Sequence, residues 1–148
     1  MIIVKILLKY ILFIYLSTVL SVSGHELAHY VTAKAFNFQD VFLCIGFLGV
    51  CGIKTNSFFI SPLAFTGFVD FIEPKDQCIP KYKLFIFYFA GISINILFLL
   101  IALLFRFEIV VLINLIIITV SMLPFSFSKS DLYCYWKHVH SRRKNTCL

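Results

Sequence analysis

From Leu84 to Phe105 the chain carries no charge, and Lys83 and Arg106 bracket the run. About 20 apolar residues suffice for an α-helix to cross a hydrocarbon core of about 30 Å. Inside lipid a backbone must satisfy its own hydrogen bonds, which leaves the helix as the natural form of such a run. Two further runs have the same character. One extends from about Ile6 to Ala35, with Lys5 and Lys9 near its start; the other, Ile109 to Phe127, ends at Ser128-Lys129-Ser130-Asp131. The chain is 61% hydrophobic and 14% charged, with a mean hydropathy of +0.97, whereas a soluble domain carries about 25% charged residues. The expected fold is an all-α integral membrane protein with three transmembrane helices, forming one domain over residues 1–148. Only Arg106, Phe107 and Glu108 separate the second and third runs, so those helices should be antiparallel neighbours. As far as Ser21-Val22-Ser23-Gly24 the N-terminal run resembles a secretory signal peptide. The apolar helical pattern continues through Leu27, Ala28, Tyr30 and Val31, which favours an uncut span.

The stretch from about Asn37 to Lys81 has a different texture. Val41–Ile45 and Ser57–Ile60 are β-branched and aromatic, separated by Gly46, Gly49, Gly52 and the polar Lys54-Thr55-Asn56. Short strands or a hairpin lying against the membrane are expected there, with Asp70, Glu73, Pro74, Lys75, Asp76 and Pro80 marking a solvated turn. With three spans, Lys34, Lys54, Lys75, Lys81, Lys83, Lys129, Lys137, Arg142, Arg143 and Lys144 share one side, against Lys5, Lys9 and Arg106 on the other. The positive-inside rule then places the N-terminus outside and the C-terminus in the cytoplasm of a multi-pass cell-membrane protein. Cys44 and Cys147 would report that orientation by their accessibility. The net charge of +6 is spread around the spans, so it points to the lipid bilayer and not to nucleic acid. Five cysteines without a C-x-x-C pair exclude a disulfide framework and a zinc ribbon.

Into the first run are set His25-Glu26-Leu27-Ala28-His29. A charged side chain at a bilayer centre costs roughly 2.5–3.5 kcal/mol on insertion scales, so ionisable residues there are functional candidates. On a helix, histidines four apart face the same way and can reach one metal ion, while Glu26 is placed for acid–base work. A zinc site needs a third protein ligand. The soluble pattern with a glycine and a third histidine downstream is excluded, because Thr32 and Ala35 occupy those positions. Among the acidic residues, Asp70, Glu73 and Asp76 read as a loop and Glu108 falls at the opposite face. Of these and Asp40, Asp131 is the best candidate, following Pro124, which would break the third helix and turn the chain back; the alternative for it is an interfacial carboxylate beside Lys129. Asn95, in Ala90-Gly91-Ile92-Ser93-Ile94-Asn95, is either a substrate or oxyanion contact or a tie between helices. His138 and His140 read as a solvated tail.

With these residues in view, the chain resembles the site-2 protease family of intramembrane zinc metalloproteases. The resemblance rests on His25-Glu26-Leu27-Ala28-His29, on Gly91 through Asn95, and on Leu123-Pro124 through Asp131. Ser121 stands where the family usually has asparagine, Leu132 where glycine usually follows the aspartate, and Ile92 where proline is frequent. The resemblance implies zinc held by His25, His29 and Asp131, Glu26 as acid and base, and Asn95 helping to hold substrate. It also implies a substrate that is a transmembrane or signal-peptide-like segment, and the orientation read from the basic residues puts the cut near the cytoplasmic face. The Asn37–Lys81 region would bind the unwound segment by strand addition, so that deleting Ser57–Ile60 should impair cleavage. Two other readings remain: a catalytically degenerate relative that binds a client segment, and a membrane-anchored zincin acting outside the bilayer in the opposite orientation. Oligomeric state is not legible.

Overall fold

A computed structural model describes residues 2–46, 51–72, 79–123 and 130–144. Their elements run in the order α1 (Ile2–Ala35), β1 (Gln39–Ile45), β2 (Ile53–Lys54), β3 (Phe58–Ile60), β4 (Gly67–Ile72), α2 (Lys81–Leu104), α3 (Glu108–Met122) and α4 (Asp131–Lys144). The expectations that fall on Gly49, Glu73, Pro74, Lys75, Asp76, Pro124 and Cys147 lie outside the described residues.

At about 1.5 Å per residue, the 34 residues of α1 extend about 51 Å without interruption. Ser17, Ser21, His25, His29 and Ala33 are buried at every fourth position, so they share one face. Leu16, Leu20, Leu27 and Val31 are exposed. The helix closes through Asn37, left-handed at φ 57, and a hydrogen bond of 2.9 Å from the Phe38 N–H to the Ala33 carbonyl. The second helix follows Pro80 and buries Leu84, Phe87, Tyr88, Gly91, Ile92 and Asn95, again one helical face. A turn with Arg106 at φ 57 leads from α2 into α3, and the two helices pack together as the short connection predicts.

The third apolar run behaves differently from its expectation. It is helical from Glu108 only to Met122, and Leu123 is extended with ψ 132. The cause is local: a residue followed by proline, here Pro124, is pushed out of the helical region. Fifteen residues reach about 22 Å, less than the hydrocarbon thickness. Two helices among the described residues, Ile3–Ala35 and Lys81–Leu104, are long and apolar enough to cross a membrane by length and composition. Large exposed apolar side chains run along α1, α2 and α3, including Ile11, Leu20, Leu97, Leu100, Leu112 and Ile116. Such a surface marks contact with a membrane or with other protein.

The β-rich segment is a four-stranded mixed sheet with order β2-β3-β1-β4. β1 pairs parallel with β3 and antiparallel with β4, Leu43 opposite both Phe58 and Val69. Gly46 (φ 98) ends β1 where a Cβ would come within 2.6 Å of Ser61, so no larger residue fits without strain. The sheet packs on the helices through two apolar clusters. One joins Ala33, Phe38, Val41, Leu84, Phe87 and Tyr88; the other joins Leu43, Ile45 and Ala64. Cys44 is fully buried, so the exposed Cys51 is the better reporter of membrane side. Asp70, expected in a solvated turn, belongs to β4.

The expected basic tail is α4. Ser130 caps it, accepting the Tyr133 N–H at its hydroxyl and donating that hydroxyl to the Leu123 carbonyl. Asp131 opens the helix where a negative charge is favoured. Trp136, 56% exposed, lies five residues on. A second polar tie joins α1 and α3: the Asn114 amide donates to Ser21 Oγ at 3.1 Å and to the Val110 carbonyl at 2.9 Å. Hydrogen bonds between membrane helices average about 0.6 kcal/mol and reach about 1.7. Asn114→Ala should destabilise the protein within that range, measured by thermal unfolding in detergent against wild type.

Candidate metal centre

The i, i+4 spacing on α1 brings the two imidazoles together, and their Nε2 atoms lie 3.1 Å apart. Asp131 comes to them from the start of α4, with Oδ2 at 3.1 Å from His25 Nε2 and Oδ1 at 3.4 Å from His29 Nε2. Of the acidic residues weighed as third ligand, Asp131 is the one among the described residues that groups with both histidines. Burial alone would raise the Asp131 carboxyl, but the hydrogen bonds to His25 and His29 more than reverse this and draw it down to about 2. It is therefore a carboxylate at neutral pH.

The donor set suits a metal: a tetrahedral ion with bonds of about 2.0–2.1 Å has ligand-to-ligand edges of about 3.3–3.4 Å, the two Nε2 atoms are 3.1 Å apart, and one ligand atom from each of His25, His29 and Asp131 lies within 4.8 Å of the others. The outer faces of the imidazoles are also held. His29 Nδ1 lies 2.6 Å from the Phe87 carbonyl, an acceptor only, so Nδ1 carries a proton; Nε2 then donates a second proton to Asp131 when no metal is bound and would offer its lone pair to a metal. His25 Nδ1 meets the Asn95 side-chain amide at 3.1 Å. Asn95 is fully buried and is not among the residues lining the cavity described below.

Two glycines allow this crowding. A Cβ on Gly91 would lie 2.5 Å from His29 Nε2 and 2.6 Å from His25 Nε2. A Cβ on Gly67 would lie 2.5 Å from Glu26 Cγ and 2.8 Å from the Cys44 carbonyl. Only glycine therefore lets α2 close on the histidines and β4 close on Glu26.

Beside the donors is a cavity of about 470 Å³, lined by His25, Glu26, His29 and Asp131 together with Thr66–Phe71 and residues from α2, α3 and α4. A family model described as peptidase family M50 matches residues 12–136, which takes in all of these groups. The chain belongs to that family. The M50 peptidases include the site-2 proteases and are membrane-associated, generally zinc-dependent metalloproteases. No curated protein gives a significant match to the chain.

Viewed as an M50 chain, the site has features the sequence does not announce. Ser121, at the position where asparagine is usual, is buried and lines the cavity. His138, expected to be solvated, also lines it. Its Nδ1 is 3.1 Å from the Tyr88 hydroxyl and its ring stacks on Phe71 with centroids 5.8 Å apart. Burial and then the neighbouring Lys137 hold the His138 imidazole below its usual value, so it is neutral at pH 7. The signal was available: Asp131, Cys134 and His138 are spaced three and four apart, the period of one helix face. The His140 side chain lies outside the described residues.

Gly91→Ala should lower zinc affinity roughly 10- to 100-fold, as lost support around a metal ligand does. Competition against a chromogenic chelator with detergent-purified protein measures it, and unchanged affinity would contradict the packing argument.

Proposed function

We propose that the chain is an intramembrane zinc endopeptidase that cuts a membrane-embedded, transmembrane or signal-peptide-like segment near the cytoplasmic face. The observation that carries this reading is the triangle of His25, His29 and Asp131 donors, with Glu26 on the wall of the same cavity. In this reading His25, His29 and Asp131 hold the ion and Glu26 is the acid and base. Zinc, when bound, supplies a Lewis acid that polarises the scissile carbonyl and lowers the pKa of water. Glu26 accepts the proton of the attacking water and returns it to the leaving amine. Asn95 supports His25: a half-turn of its amide puts Oδ1, which has no hydrogen-bond partner, against the Nδ1 proton that frees Nε2. That role differs from the substrate contact implied by family resemblance, and Asn95's position behind His25 is what favours it.

The same reading takes α3 as the third span, with the N-terminus outside and the basic α4 on the cytoplasmic side. It also names the strand that receives substrate. β3 lies between β2 and β1, so deleting Ser57–Ile60 would dismantle the sheet and test nothing else. β2 and β4 are the two edge strands, and it is β4 whose residues line the cavity. The Gly46 N–H donates to the Thr66 carbonyl, and antiparallel pairs alternate, so Phe68 and Asp70 face β1 while Gly67, Val69 and Phe71 turn their backbone groups outward. A cut segment, unwound to free its scissile carbonyl, extends that edge by strand addition.

Two experiments test the reading. Against a panel of transmembrane substrates in detergent or nanodiscs, Glu26→Gln should lose about 10²- to 10⁴-fold in cleavage while keeping stoichiometric zinc, and Asp131→Asn should lose zinc. Wild-type zinc at background level would refute the proposal. Val69→Pro removes an outward N–H that the ladder does not use. It should depress cleavage with zinc content unchanged, at some cost in thermal stability because Val69 packs against both apolar clusters; equal cleavage would refute strand addition at β4.

A further inference from the structure

Asp131 is the first residue of α4, and the helix needs something to hold it against the rest of the site. At its start, Ser130 ties it to the end of α3 through the Leu123 carbonyl. Seven residues later, two turns on and on the same face, His138 meets two other walls of the cavity. Its Nδ1 shares a hydrogen bond of 3.1 Å with the Tyr88 hydroxyl of α2, and its ring lies nearly parallel to Phe71 of β4, with 13° between the planes. Tyr88 is also stationed for this: it is buried, and it is adjacent to Phe87, whose carbonyl holds His29. Tyr135 adds apolar contact one turn past Asp131, its ring edge against Phe85 and Tyr88.

We propose that His138 is a positioning residue: bridging Tyr88 and Phe71, it clamps α4 to α2 and β4 and so sets the place of the Asp131 carboxylate beside His25 and His29. The inference rests on the reading of Asp131 as a zinc ligand. The logic is that of support behind a ligand, except that the support acts along a helix. Freed at His138, α4 pivots about its Ser130 end, and Asp131 moves relative to two imidazoles that α1 and α2 hold fixed. A displaced ligand weakens the metal without being removed.

Zinc affinity, by chelator competition on the purified full chain in nanodiscs, is the readout, with melting temperature recorded for each variant. His138→Leu and Tyr88→Phe should each lower affinity about tenfold at unchanged stoichiometry. The double variant should be no weaker than His138→Leu alone, because the bond that Tyr88→Phe breaks is already lost there. His138→Asn, which offers a polar atom near the place of Nδ1, should recover part of the loss, whereas a purely packing role would not be rescued by a smaller side chain. If Asp131→Asn loses zinc but His138→Leu and Tyr88→Phe bind like wild type, the clamp is wrong and the ligand assignment stands. Should Asp131→Asn itself bind like wild type, the assignment and the clamp fail together.

Discussion

The contact between the α1 histidines and the Asp131 carboxylate is the constraint to which the rest of the molecule conforms. Two buried imidazoles and a partly buried carboxylate meet at the wall of the cavity, where an unmatched charge is costly, so each must be held by the others and by a metal or proton between them. Meeting this demand requires α1 to be straight through the motif, α2 to come close, and the chain to return after α3. The sheet, the glycines and the short α4 are the means by which an otherwise lipid-facing helical protein keeps that cluster enclosed.

Close approach, more than polarity, shapes the surroundings. Gly91 lets the backbone of α2 lie against the imidazoles, and Gly67 does the same for β4 over Glu26. The donors for a metal and the acid–base group are therefore each backed by main chain. A main chain held in a helix or a ladder gives way far less than a side chain, and pre-organisation of this kind is what a hydrolytic site needs.

Much of this was legible in the residues. Helical spacing of His25 and His29, the charge-free run of α2 and the acidic residue after Pro124 were sufficient to anticipate the donor triangle. Other parts were hidden for identifiable reasons. Asp70 reads as part of a turn because an acidic, proline-bearing stretch follows it, yet an edge strand tolerates such a residue on its exposed side. The end of α3 is set by the conformational demand of Pro124 on Leu123, which overrides an apolar composition that continues to Phe127. Helix α4 was concealed by its basic character, and His138 with it; its order comes from the Ser130 cap and from contacts with α2 and β4, which a hydropathy pattern does not record.

One feature of α4 has a practical side. Trp136 is the single tryptophan of the chain, and it sits five residues from Asp131 on the helix that delivers the carboxylate, more than half exposed. Excited at the red edge of its absorption, where tyrosine does not absorb, it gives an optical signal from that helix alone. Docking and release of the element carrying the carboxylate can be followed in real time, in native sequence, without attaching a dye.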